Sequence, residues 1–341
     1  MKKVLITVIQ LAVTVGLLVW VYHDPKKLSE MRQALAHARL QWLVAGIVAY
    51  FIVEAAAAFR WHVLLKVQGI HLPLRRLSGL FLIGMFYNQF LPGGTGGDII
   101  KSYLLLKETD RKAGALLAVV FDRFIGLVAL VVITVTLVSM RFDLLSQTHE
   151  TRRYLWILII LLGVSVSSLI ISFLVSGFNL FHWLPHRFPG REKLIEIAAA
   201  YHLYARHWVA SLVAFLASLV AHLCTFTTFL CAAFALRADV VVTNFFAVMP
   251  IERTISALPI SFAGVGIREK VLQTMLHQVC GVPEGVAILI GSLSFLMMVV
   301  CCLPGGIVYF FYRPSGAEGR VRIREMQREV ATMEHEISES Q

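Results

Sequence analysis

The sequence predicts an all-α polytopic membrane protein with about six full spans, two re-entrant broken-helix hairpins and a candidate inverted repeat. Three observations carry this. The 341 residues are 58% hydrophobic and only 15% charged, whereas soluble domains hold roughly 45–50% apolar and 25% charged residues. Mean hydropathy is +0.75, an excess too large for one buried core, so a soluble enzyme, a secreted scaffold and a disordered chain are excluded. Finally, six apolar runs approach or exceed the ~20 residues that a helix needs to cross the hydrocarbon of a bilayer.

Those runs lie at about 4–22, 40–59, 113–140, 154–178, 208–236 and 285–312. Four of them lack any Asp, Glu, Lys or Arg; the second carries Glu54, and the third carries Asp122 and Arg123. The first follows Lys2 and Lys3 but shows no A-x-A-like cleavage site and runs on through Trp20 and Tyr22. It therefore reads as an uncleaved anchor.

Two further apolar stretches are too short to span and are punctuated by Gly and Pro. One covers 77–91 and runs into Pro92-Gly93-Gly94-Thr95-Gly96-Gly97-Asp98. The other covers 240–251 and leads through Glu252-Arg253 to Pro259-Ile260-Ser261-Phe262-Ala263-Gly264-Val265-Gly266. A weaker apolar piece follows each, near 99–106 and 270–280. Paired half-helices meeting at a non-helical turn fit this pattern, because irregular backbone survives at membrane depth only inside protein or against a wet cavity. Reading both stretches as full spans is the competing topology.

With the N-terminus cytosolic and both hairpins re-entrant, the larger share of Lys and Arg falls on the cytosolic side, Arg60, Lys66, Lys101 and Lys107 among them. The C-terminus is then cytosolic too. The expected organisation is one membrane domain over 1–312, with repeat halves 40–140 and 208–312, and a short charged cytosolic tail over 313–341. Each half reads as span, hairpin, span, and both hairpins turn at Leu-Pro followed by glycines and an acid. Paired broken helices of opposite orientation mark many secondary transporters; two unrelated Gly/Pro kinks would produce the same text. Residues 186–206 mix charges with an apolar face and read as a surface-lying helix.

The net charge of +10 would suggest nucleic acid in a soluble domain. Here the basic residues sit in short loops, where topology and anionic headgroups account for them, and no nucleic-acid partner is expected. Cys224, Cys231, Cys280, Cys301 and Cys302 show no CxxC or Cys/His spacing, so neither a disulfide framework nor a metal site is expected. No GxxxxGK[ST], HExxH or GxSxG motif occurs, which points away from enzymatic activity and from a cofactor. His222, deep in a charge-free span, reads as packed.

Charges at bilayer depth cost ~2.5–3.5 kcal/mol each on insertion scales. Asp122 and Arg123 are adjacent, project ~100° apart around a helix, and cannot neutralise each other. Each needs a partner elsewhere or a hydrated cavity. Glu54 either pairs with an arginine of the bundle or serves as a substrate, ion or proton site. The broken turns are the sharper signal, since free N–H groups and a positive dipole end favour an anion. Gly93, Gly94, Gly96 and Gly97 let backbone approach a ligand closely; Asn88 can bond the broken backbone and Asp98 can cap the next half-helix. The second turn offers Glu252, Arg253, Ser256, Ser261, Gly264, Gly266, Arg268 and Glu269. Arg123 and Arg253 are the favoured phosphate contacts, because guanidinium binds phosphate bidentately. A plainer reading leaves the glycines to permit the turns and the acids to cap them.

Taken together, Arg60-Trp61, NQFLPGGTGGD from Asn88 to Asp98, Asp122-Arg123-Phe124-Ile125-Gly126-Leu127, and Pro259-Ile260-Ser261 with Gly264-Val265-Gly266 through Glu269 resemble the transmembrane region of the lysylphosphatidylglycerol synthetase/flippase family. The resemblance covers roughly residues 1–312. It implies a multi-pass protein of a bacterial or archaeal cytoplasmic (inner) membrane that moves a lipid between leaflets, whether phospholipid, aminoacyl-phospholipid, hopanoid or glycolipid. Full-length members add a cytosolic aminoacyl-transferase domain; this sequence stops at 341, so a stand-alone form without that activity is expected. The expected function is flipping of a polar-headgroup lipid through a cavity between the hairpins. Its rivals are a non-transporting scaffold of a lipid-synthesis pathway and a membrane enzyme acting on lipid or polyprenyl phosphate, with Asp98, Asp122 or Glu252 as acid or base. A homo-oligomer or a lipid-synthesis enzyme stands as the candidate protein partner.

Overall fold

Apolar runs of this length become helices because a bilayer core offers the backbone no hydrogen-bond partner except itself. A computed structural model describes residues 16, 24–90, 96–177, 199, 202–258 and 261–312 of the chain. The anchor expected over 4–22, most of the surface-lying segment and the tail over 313–341 lie outside the described residues, apart from Gly16. The helices are α1 (Pro25–Ala36), α2 (Leu40–Val67), α3 (Leu74–Phe90), α4 (Gly96–Leu106), α5 (Lys112–Ser139) and α6 (Phe142–Leu145), followed by α7 (His149–Gly177), α8 (Trp208–Ala235), α9 (Val242–Ser256), α10 (Ile267–Cys280) and α11 (Glu284–Phe311). No strand occurs among the described residues. Five helices, α2, α5, α7, α8 and α11, are long and apolar enough to cross a membrane. The chain is an all-α polytopic membrane protein, the class its sequence predicts.

Two placements correct the sequence reading. The second span, expected to end at 59, continues as helix to Val67, so Arg60 belongs to the bundle and not to a cytosolic loop. Trp61, Leu64 and Leu65 are fully buried beyond it and carry the apolar face onward. Lys101, also assigned to a cytosolic loop, is only 3% exposed within α4.

The paired short helices hold 17 and 11 residues in α3 and α4, and 15 and 14 in α9 and α10. None reaches the ~20 residues of a full span. Each pair folds back on itself. Gly84 of α3 lies against Gly97 and Lys101 of α4, and Asn88 lies against Gly97. A Cβ on Gly97 would run into the Gly84 carbonyl oxygen and stand 2.6 Å from the Asn88 nitrogen, so only glycine permits this approach.

Contacts along the long helices fix their directions. Arg39 N donates to Ala235 O at 2.8 Å, Trp42 packs on Phe234 with centroids 4.9 Å apart, and Thr228 Oγ1 donates to Gly46 O at 3.4 Å. Further on, Arg60 Nη1 donates to Ser218 Oγ at 3.0 Å. Numbers rise along α2 as they fall along α8, so these helices are antiparallel. By the same reasoning α11 runs with α2, since Gly46 adjoins Met297 while Cys302 reaches Glu54. Helix α5 runs with α8: Arg60 reaches both Asp122 and Ser218, and a His222 ring nitrogen lies 3.2 Å from Gly126 O. The order long helix, two short helices, long helix in α2–α5 therefore recurs in α8–α11 with the chain direction reversed.

The two units interlock. Helix α3 of the first lies on α11 of the second, and α9 of the second lies on α5 of the first. At the first of these crossings Gly305 and Gly306 sit against Leu82 and Phe86, and Tyr87 meets Tyr309 edge-on at 5.4 Å. The short turn Phe262–Gly264 ahead of α10 rests against α3, so the second elbow meets the first hairpin. Peripheral α1 is tied to the start of α11, where Glu30 Oε2 accepts from Gly285 N at 2.9 Å.

The backbone contact at Gly97 is testable. Gly97→Ala should separate α3 from α4 and lower stability by about 1–3 kcal/mol, the usual cost of overpacking, read as a reduced melting temperature in detergent.

Candidate functional site

The residues joined at the first hairpin form an alternating ladder of charge. Arg60, two turns below the middle of α2, grips Asp122 of α5 with both arms of its guanidinium, at 2.7 Å from Nε to Oδ1 and 3.1 Å from Nη2 to Oδ2. Lys101 of α4 places Nζ 3.8 Å from Asp122 Oδ2 and 3.6 Å from Asp98 Oδ1. Asp98 in turn accepts from Arg123, at 2.7 Å from Nε and also from Nη2. Three cations thus alternate with two carboxylates, leaving one positive charge in excess.

Local sequence explains how each group arrives. Asp98 and Lys101 stand one turn apart on α4 and so share a face. Asp122 and Arg123 diverge around α5, and each finds its own partner: Asp122 turns inward to Arg60 and Lys101, Arg123 outward to Asp98. The Lys101 ammonium is further enclosed by the rings of Trp61, 4.4 Å from its centroid, and Phe81 at 5.3 Å. Cation–π attraction of this kind strengthens as water is withdrawn. The ladder is graded in exposure: Asp122 and Lys101 are buried, whereas the Arg123 side chain at the outer end is 56% exposed. Asn88 Oδ1 accepts from Gly97 N at 2.8 Å and so satisfies one donor in the first turn of α4. Gly96 is helical beside it; Gly93 and Gly94 lie outside the described residues.

The second elbow is built differently. Ala263, Gly264 and Gly266 all have positive φ, of 50°, 75° and 88°, a conformation that glycine takes freely and alanine takes at a cost. Glu269 closes the start of α10 by accepting from Gly266 N at 2.6 Å. Arg268, also buried, lies 3.7 Å from Glu252 Oε1 through Nε, donates from Nη2 to Ala263 O at 3.0 Å, and stacks over Phe295 at 4.8 Å. Its Nη1, and Oγ of buried Ser261, have no hydrogen-bond partner. Arg253 is exposed on α9.

Glu54 departs from the arginine partner offered for it. Its Oε1 accepts from Cys302 Sγ at 3.5 Å and its Oε2 has no partner. Lys101 and Arg60 join the site only through the fold, although the i, i+3 spacing of Asp98 and Lys101 is a local signal that they share a face. Among the described residues no cluster of His, Cys, Asp or Glu is suited to a metal ion, and all five cysteines are free.

Five helices long and apolar enough to cross a membrane, two interlocked pairs of short helices and a buried charge ladder define, among the described residues, an all-α polytopic membrane protein. Comparison with known proteins is consistent with that class. Residues 7–307 match the model of the family described as the lysylphosphatidylglycerol synthase TM region, and the chain belongs to that family. It is also similar to a UPF0104 membrane protein of Methanothermobacter thermautotrophicus, with 28% identity over 120 residues. That alignment takes in 34% of this chain and 36% of the relative, about a third of its length.

Asp122 is the residue whose partners matter most for stability. Removing one member of a buried ion pair costs about 3–5 kcal/mol, because the other charge stays buried. Arg60→Ala should therefore lower the melting temperature in detergent substantially, and the Arg60→Ala/Asp122→Asn double variant should recover part of that loss.

Proposed function

We propose that the chain moves a lipid with an anionic headgroup between the leaflets of the cytoplasmic membrane, with both termini cytosolic. The headgroup enters between the two hairpins while the acyl chains remain in the bilayer. One observation carries this reading: the ladder has an unmatched positive charge and ends on an exposed arginine. A phosphate arriving at Arg123 takes the place of Asp98 as its partner, and Asp98 keeps Lys101 at 3.6 Å. No buried charge is stranded by the exchange. The start of α4 adds a helix dipole of the sign that suits an anion, and the second hairpin carries the exposed Arg253. Asn88, Gly96, Gly97, Asp98, Asp122 and Arg123 would line one wall, and Glu252, Arg253, Ser261, Gly264, Gly266, Arg268 and Glu269 the other.

Reversed units whose hairpins pack on each other's long helices support alternating opening to the two leaflets. Guanidinium contacts to phosphate are charge-assisted and worth about 1.5–3 kcal/mol each, or roughly tenfold to a hundredfold in rate if made in the barrier. In vesicles loaded with the purified protein and a fluorescent phosphatidylglycerol, the wild type should speed transfer between leaflets. Arg123→Ala and Arg253→Ala should each slow it by that factor at normal expression. Transfer that ignores both substitutions would overturn the assignment.

A further inference from the structure

Glu54 sits at the middle of α2, is 3% exposed, and forms no ion pair among the described residues. Its Oε1 accepts a weak thiol hydrogen bond from Cys302, and its Oε2 accepts none. The other buried carboxylates differ in kind. Asp122 is held by Arg60 and Lys101, Glu252 lies beside Arg268, and Glu269 takes the Gly266 N–H. Arg60, the nearest cation in sequence, is committed to Asp122, as is Lys101; Arg123 is committed to Asp98 and Arg268 to Glu252. An unpaired carboxylate at this depth is far costlier than a neutral carboxyl with one unmet hydrogen bond.

The described elements packed against α2 supply few ionisable groups. Helix α2 itself supplies Tyr50, one turn away. Helix α11 supplies Cys301 and Cys302, α8 supplies His222, and α3 supplies Tyr87, which packs on Tyr309. Helix α5 supplies Asp122, already held. Helix α9 carries Arg253, which is exposed.

We infer that Glu54 is a proton-binding site whose occupancy is tied to the opening of α2 against α11, so that lipid movement is coupled to protons. The carboxyl is protonated while Cys302 and the α2–α11 contact enclose it. When that contact opens, the proton passes from the carboxyl oxygen to water, and the resulting carboxylate is hydrated. The coupling rests on the translocation reading; the proton site itself does not.

The test uses the full chain in vesicles containing phosphatidylglycerol. Infrared spectroscopy at neutral pH should show a protonated-carboxyl C=O stretch that vanishes in Glu54→Gln and shifts in Cys302→Ala. Absence of any band assignable to Glu54 overturns the inference, whatever the lipid does. A gradient of one pH unit drives accumulation of up to about tenfold per proton carried. Fluorescent phosphatidylglycerol should therefore redistribute along an imposed gradient in the wild type and in Glu54→Asp, but not in Glu54→Gln. Transfer that is fast yet indifferent to the gradient overturns the coupling. A band without any lipid transfer supports the proton site and counts against translocation itself.

Discussion

The structure depends on one constraint: a carboxylate held in hydrocarbon must be surrounded by positive charge or give up its own. Asp122 shows the cost of meeting it. Its two oxygens take a bidentate arginine from α2 and a lysine from α4, and those demands draw three helices to one point. Helix α2 extends past its apolar run because Arg60 is needed inside the bundle. Helix α4 approaches α3 at glycine distance because Lys101 has to reach between Trp61 and the two aspartates. The first half of the protein is organised around this charge as much as around its apolar core.

Exchange of hairpins between the two units adds a mechanical consequence. With α3 seated on α11 and α9 on α5, neither half can tilt without carrying a broken helix of the other. The glycine contacts at Gly305 and Gly306 make the α3–α11 crossing close-packed, and packed interfaces shift between discrete arrangements instead of deforming smoothly. Under the proposed function, such a construction would let an access route open to one side at a time.

Three buried acids mark out a gradient of compensation across the bundle. Asp122 has two cations, Glu252 has one, and Glu54 has none. The first is suited to permanent charge, the last to a proton. Under the proposed function, an incoming anion would meet Arg123 and Arg253 and exchange partners instead of creating ions in oil, which is the form of electrostatics a low dielectric permits.

Much of this was legible in the sequence alone. The spans expected at 113–140, 208–236 and 285–312 became helices within a residue of those limits, because long apolar runs leave the backbone no alternative in a bilayer. The two hairpins were legible from shortness and from their Pro and Gly, and Asp122 and Arg123 from their cost at that depth. Arg60 and Lys101 were not, since a basic residue at the edge of an apolar run reads the same whether it faces headgroups or a carboxylate 62 residues away. The run lengths and the isolated charges were thus set by composition, which transfer free energy reads residue by residue. Which charge meets which, and which way each helix runs past its neighbour, was decided only by packing, because those contacts join positions that are distant along the chain and carry no local signature.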